Sequence, residues 1–352
     1  MTRKGHQAFI RMSVDANDRT LLAATICHSL RTKMPPFPKP NFQYQFNSET
    51  EVNALRIWRD TKEGRAIPPK QDGKFLLGSW NIANLGDEKQ RRDTGDIEII
   101  SEILSWFDVI AVQEIKENLI DFRWVMNSLP ESYDAVFSDM AGNNERMVFV
   151  YDKTRVDRLE LAGEIAVPPG SHRHIKLPGI EQKFRGFDRN PFAVAFEVSG
   201  GVFTVVNAHL YFGSSSKKSE NRRALETYAL GRWADLRMKR GDAYSGNTVV
   251  IGDLNLPAVK PGDKIYDALV KRGLRIPEHQ SVIGTVITGG KYYDQLAFFP
   301  AETGDAFIRQ GVFDFDGAVF RDLWQQETPK EFDAFVRYHI SDHRPIWAQF
   351  DL

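Results

Sequence analysis

The chain has 352 residues, 42% of them hydrophobic and 26% charged, with a net charge of −1 and one cysteine, Cys27. That length buries a full core, either as one large domain or as a domain with an extension. The balanced charge excludes a global basic field for nucleic acid, and a lone cysteine excludes a disulfide framework and a cysteine-based zinc site.

At the N-terminus, Arg3, Lys4 and Arg11 are followed by no apolar run of the kind export requires. No segment approaches the ~18 apolar residues of a membrane span. A cytoplasmic location and no membrane partner are therefore expected. Leu21, Leu22, Ile26 and Leu30 recur at helical spacing and predict a short amphipathic helix over residues 18–31. Pro35, Pro36, Pro38 and Pro40 then exclude helix and central strand and read as an extended linker. Ser48-Glu49-Thr50-Glu51 reads as a capping box that opens a helix through Trp58. Residues 1–72 are thus expected to be an N-terminal extension, packed on the main domain or recruiting a protein partner.

From Lys74 onward strands and helices alternate irregularly. Strands are predicted over residues 75–82, 109–113, 147–151, 192–198, 203–208, 248–252, 295–299 and 345–350. Helices are predicted over 96–107, 117–128, 219–239 and 265–272. Ser199-Gly200-Gly201 joins two of the strands as a hairpin, so the sheet is mixed. Many strands with helices outside them predict an α/β (α+β) domain over residues 73–352, a four-layer αββα sandwich of two mixed sheets flanked by helices.

Several apolar runs stop at polar residues. Val249-Val250-Ile251-Gly252-Asp253-Leu254-Asn255 is the most informative, because residues i and i+2 of a strand point the same way. Asn81 closes another run, Glu114 a third and His209 a fourth; Asp294 and Asp342-His343 lie at the start of two more. Each alone reads as a turn residue. Together Asn81, Glu114, Asp253, Asn255 and Asp342 make an all-oxygen set beside two histidines, suited to Mg²⁺ with Mn²⁺ as a substitute.

The stretches Trp80-Asn81-Ile82, Val112-Gln113-Glu114, Asn207-Ala208-His209-Leu210, Gly252-Asp253-Leu254-Asn255, Tyr293-Asp294 and Ser341-Asp342-His343 follow one another in a specific order. That order resembles the endonuclease/exonuclease/phosphatase superfamily, the fold of pancreatic-type deoxyribonuclease and of exonuclease III-like abasic endonucleases, across residues 74–352. The resemblance implies that Glu114 is the principal metal ligand, with Asn81 and Asp342 near the same ion. It implies that Asp253 and Asn255 orient the attacking water and that His343 pairs with Asp294. His209 is implied either to donate to a non-bridging oxygen or to protonate the leaving group. Deoxyribonuclease-like members carry a second His–acid pair, for which Glu145 is the partner of His209 here. Acid and base roles stay open between the histidines.

Lys116 occupies the place where deoxyribonuclease-like enzymes carry a basic residue reaching the DNA groove; the alternative is a solvated lysine opening a helix. Arg185 and Arg189 lie among phenylalanines before a strand, and Arg189 is the better candidate for a substrate phosphate. The aromatic that stacks in the deoxyribonuclease groove is replaced around Asn143. The charges between Ser214 and Arg240 read as a solvated helix face, with only the loop of residues 211–218 near the site. The expected function is a metal-dependent phosphodiesterase, a DNA endonuclease, with DNA favoured over RNA as partner. Its rivals are a phosphomonoesterase or phospholipase C-type enzyme and an inactive interaction module. Lys291-Tyr292-Tyr293-Asp294-Gln295 lacks the Trp-Cys-Asp-Arg signature of the inositol phosphatases, which disfavours that branch.

Overall fold

The computed structural model describes residues 37–240 and 243–352. The helix expected over residues 18–31 lies outside them. Eleven strands build two sheets. The first has β1 (Lys74–Leu85), β2 (Val109–Lys116), β3 (Tyr133–Phe137), β4 (Glu145–Asp152), β10 (Phe307–Val312) and β11 (Ile346–Asp351), in the order β10-β11-β1-β2-β4-β3. The second has β5 (Asp157–Glu164), β6 (Phe192–Val198), β7 (Gly201–His209), β8 (Asn247–Asp253) and β9 (Asp294–Phe298), in the order β5-β6-β7-β8-β9. β1 and β2 run parallel, as do β7 and β8, and the other neighbours are antiparallel. Both sheets are therefore mixed.

Alternation along the strands creates three apolar layers. Phe75 and Leu77 of β1, Val109 and Ala111 of β2, Phe203 and Val205 of β7, and Val249 and Ile251 of β8 meet between the sheets. Leu76, Trp80 and Ile82 of β1 face the other way, toward α2 (Thr94–Ser105) and α3 (Ile120–Ser128). Val206 and Val250 face α4 (Lys217–Met238) and α5 (Lys264–Val270). The result is the αββα sandwich. The short α6 (Pro300–Thr303) and α7 (Arg321–Gln326), with α8 (Pro329–His339), complete the helices of this domain, and none of the described helices is long and apolar enough to cross a membrane.

The chain before residue 73 contributes α1 (Ser48–Thr61), whose Leu55 is fully buried in the same layer as α2. Trp58 Nε1 donates to Asp314 Oδ1 at 2.9 Å and Phe320 N donates to Glu51 Oε2 at 2.7 Å, so α1 is tied to the C-terminal part of the domain. The helix cap is Asn47 rather than the expected Ser48. α2 starts at Thr94, ahead of the expected 96, because Asp93 and Asp96 form a reciprocal capping box. Three strands, β3, β5 and β10, and three helices, α6, α7 and α8, had no counterpart in the expected elements.

Candidate active site

The central strands share one gradient, from apolar to polar, on the face between the sheets. β1 presents Phe75 and Leu77 there, then Ser79 and Asn81; β7 presents Phe203 and Val205, then Asn207 and His209. β8 ends its series at Asp253, and antiparallel β9 begins with Asp294. Register places His209 opposite Asp253 and Asp253 opposite Asp294. Just beneath, Gln113 Nε2 donates to Asn207 Oδ1 at 2.7 Å, a buried amide pair that bridges the two sheets below the cleft.

Asp253 Oδ2 is the hub. Asn81 Nδ2 donates to it at 3.2 Å, His209 Nε2 stands 3.5 Å away and His343 Nε2 4.0 Å away. The same Asn81 Nδ2 lies 3.0 Å from Glu114 Oε1, and Glu114 Oε2 accepts from Asn84 N at 3.0 Å. Asn255 N donates to Asp253 Oδ1 at 2.9 Å, while its own Nδ2 is turned to Leu210 O at 2.8 Å. His343 Nδ1 is 2.8 Å from Asp294 Oδ2. Ser341 Oγ donates to Asn81 O at 2.6 Å and accepts from His343 N at 3.0 Å, tying the turn before β11 to β1.

Local backbone strain accompanies this convergence. Asn84, Glu114 and Asn255 adopt φ of +56°, +64° and +53°, a region that costs a non-glycine residue about 1–3 kcal/mol. Gly252 has φ +138°, and a Cβ there would stand 2.1 Å from Ala208 O. Only glycine lets β8 close on β7 at the register that delivers Asp253.

No family model matches the chain. A deoxyribonuclease from Thioalkalivibrio sp. (strain K90mix) is 26% identical over 304 residues, 81% of this chain and 73% of that protein. Among solved structures, the mannosyl-6-phosphatase Bt3783 of Bacteroides thetaiotaomicron matches with TM-score 0.52 at 16% identity, covering 79% of this chain and all (100%) of that one. An endonuclease/exonuclease/phosphatase family protein from the same organism matches with TM-score 0.51 at 16% identity, over 80% of this chain and 100% of that chain. TDP2 of D. rerio, complexed with single strand DNA product, matches with TM-score 0.51 at 17% identity, over 80% of this chain and 100% of that chain. The chain has the endonuclease/exonuclease/phosphatase fold.

Within the cleft at these strand ends, burial and charge separate the two histidines. Burial, then the nearby Arg189 charge, lowers His209 to about 3 against the opposing pull of Asp253 and Glu114, so this imidazole is neutral. Burial would also lower His343, but the carboxylates of Asp294, Asp342 and Asp253 outweigh it and raise this group well above the ordinary histidine value. Burial and then the charge of Asp294 raise Asp253. Asp342 is raised by burial, with Glu114 and Asp253 adding to the effect and His343 opposing it.

The donor set fits a hard divalent cation. Asn81 Oδ1 is buried without a hydrogen-bond partner, next to the Glu114 carboxylate. Glu114, Glu145 and His209 form one group whose ligand atoms lie within 4.8 Å of one another, and Asp253, Asp294 and His343 form another. A third group, Asp93, Asp96 and His339, is committed to the α2 capping box and to a 3.0 Å His339–Asp96 contact. Asn81 makes its hydrogen bonds to Glu114 and Asp253, and Asp342 stands beside them near enough for like-charge repulsion.

Three expected contacts differ in detail. Glu145 Oε1 is 3.6 Å from His209 Nδ1, and that nitrogen has no hydrogen-bond partner. The reason is Arg189: its Nη1 takes Glu145 Oε1 at 2.6 Å, Nε donates to His209 O at 2.8 Å and Nη2 to Leu210 O at 3.0 Å. Arg189 is thus an internal clamp on the His209 strand end rather than a fork aimed at a substrate phosphate; Arg185 is exposed. Lys116 is buried 3.5 Å from Glu145 Oε2, so it neither opens a helix nor stands free in solvent. The sequence reading missed Asn84, Ser341 and Arg223. Ser341 was visible beside Asp342-His343, whereas Asn84 and Arg223 act through backbone geometry that no spacing advertises.

Proposed function

We propose that the chain is a divalent-metal-dependent hydrolase of phosphoester bonds, and more narrowly a phosphodiesterase that cuts DNA internally. The observation that carries hydrolysis is Asp253 Oδ2, where a carboxylate, an amide donor and two histidine Nε2 atoms converge within 4.0 Å. DNA is supported by the deoxyribonuclease relative, which aligns over 81% of this chain.

In this reading Glu114, Asn81 and Asp342 would hold Mg²⁺, or Mn²⁺ in its place, and that charge would be available to the phosphoryl oxygens and to the departing oxygen. Asp253, fixed through Oδ1 by Asn255 N, holds the attacking water at Oδ2 and accepts its proton as the new O–P bond forms and the opposite P–O bond breaks. Both histidine Nε2 atoms lie within 4.0 Å of Asp253 Oδ2 and so would face the phosphoryl oxygens beside the attacking water. His343, held by Asp294 through Nδ1, offers a charged Nε2–H; neutral His209 offers an uncharged one. Glu145 acts indirectly, holding the Arg189 clamp beside His209.

The test is cleavage of supercoiled plasmid by the full chain with Mg²⁺, Mn²⁺ or EDTA, beside Glu114→Ala and His343→Ala. Metal-dependent nicking that disappears in both variants is expected. Hydrolysis of phosphomonoesters such as a hexose 6-phosphate, with plasmid left intact, would instead make it a phosphatase.

A further inference from the structure

The loop after His209 carries two consecutive aromatics, Tyr211 and Phe212, and each is braced by an arginine of α4. The Arg222 guanidinium sits 3.9 Å over the Tyr211 ring and that of Arg223 4.7 Å over the Phe212 ring. Arg222 is itself held by Asp188 and Glu226, both at 2.9 Å. Arg223 is 5% exposed and spends its donors on carbonyl oxygens: Asn255 at 3.3 Å, Phe212 at 3.1 Å and Ser214 at 3.3 Å. Its Nε is buried without a partner. One arginine therefore fixes both the aromatic loop and the turn that carries Asn255.

From this loop a row of rings leads to the chemistry. Phe212 meets Tyr293 edge-on at 6.0 Å between centroids, and Tyr293 lies 6.3 Å from the His343 ring at an interplanar angle of 33°. Both Phe212 and Tyr293 remain partly open to solvent. Three carbonyl acceptors and the Phe212 ring offset the burial of Arg223, which fixes that ring while part of it stays open to solvent. Sugar recognition calls for a ring of hydrogen-bond groups, whereas Arg223 spends its terminal nitrogens on three carbonyls and keeps Nε buried. A nucleobase needs only the aromatic face.

We infer that Phe212 and Tyr293 form a stacking wall for an unpaired nucleobase beside the reacting phosphate, making single-stranded or frayed nucleic acid the preferred substrate over intact duplex. This rests on the phosphodiesterase reading above. A base inside a duplex has both faces covered and reaches such a wall only by leaving the stack. Tyr211, folded back over Gly213 and held by Arg222, supports the loop rather than the base.

The decisive experiment measures binding of a labelled single-stranded oligodeoxynucleotide to the full chain in EDTA, against the same backbone with base-free tetrahydrofuran units and against a blunt duplex. Cleavage of all three is then followed in Mg²⁺. The wild type is expected to bind the base-bearing strand roughly tenfold more tightly than the base-free one. That ratio should fall toward one in Phe212→Leu and in Tyr293→Leu, which keep apolar bulk but no aromatic face. Equal binding of the two strands by the wild type, an undiminished ratio in both variants, preference for duplex, or no binding of any strand overturns the wall. Equal cleavage of all three substrates removes the wall while sparing the phosphodiesterase. Base-dependent binding without any cleavage supports the wall and removes the phosphodiesterase.

Discussion

His209 and His343 are both buried, and their charged neighbours, Arg189 beside the one and three carboxylates around the other, separate their charge. Asp294 sits 2.8 Å from His343 Nδ1, whereas the carboxylate meant for His209 is taken by Arg189. Replacing Asp294 with Asn keeps an acceptor for Nδ1 but removes the charge that favours the imidazolium. Asp294→Asn should lower kcat by about 10²-fold. It should also move the alkaline limb of the pH–rate profile to lower pH, because His343 then loses its proton sooner. An alkaline limb that stays in place would mean that His343 does not act as a cation. The residues that the sequence singles out, Asn81, Glu114, His209, Asp253, Asp294 and His343, are those where an apolar run stops or starts; in the fold Asn81 and Glu114 lie within their strands and His343 just before β11. Arg189 was misjudged for a physical reason. Its letters suit a phosphate fork equally well, and only the fold shows that Glu145 and two carbonyls occupy it.

At the scale of elements, α4 does more than cover a sheet. The sequence reads as a charged, solvated helix, yet Arg223, Glu226 and Asp235 are buried and Arg222 is half-engaged with Asp188. Glu226 accepts from Arg222 Nε at 2.9 Å and from Tyr211 N at 3.3 Å. Burial outweighs Arg222 and pushes this carboxyl up to about 7 from an ordinary value of 4.5. Between those values the folded chain binds the proton and the unfolded chain does not, so the group's contribution to stability falls as pH rises through this window. Relative to wild type, Glu226→Gln should therefore gain stability between about pH 5 and about pH 8, by on the order of 3 kcal/mol at most. Paired thermal melts across that range check it, and a difference independent of pH would assign Glu226 as ionised throughout. Strand legibility follows the same logic of burial. β6 was bounded residue for residue, since every position but one is buried. β5 is an exposed edge with a weak apolar rhythm and β10 contains Gly311, so neither announces itself. α8 did carry a signal, a Thr328–Glu331 capping box with Pro329 at its first turn.

For the whole molecule, the αββα arrangement follows from strands whose two faces are both apolar, which demands a layer on either side. The order of those layers was legible; the place of residues 37–72 within one of them was not, because Leu55 is the one fully buried apolar residue of α1, with Val52 and Trp58 only partly buried beside it. The same architecture crowds Glu114, Glu145, Asp253, Asp294 and Asp342 at one end of the sandwich, with Lys116, Arg189 and His343 offsetting only part of their charge. The upward shifts of Asp253 and Asp342 record that crowding together with burial. A cation that binds the folded chain and not the unfolded one stabilises it by about 2.7 kcal/mol at a hundred times its dissociation constant. For a domain of this size that corresponds to a rise in Tm of roughly 4 °C. The full chain is therefore expected to melt higher as Mg²⁺ is added, with a saturable response that EDTA reverses. Glu114→Gln should lose the response and, with one repelled carboxylate gone, melt above the wild type in EDTA. An undiminished Mg²⁺ response in Glu114→Gln would move the metal site away from the end of β2.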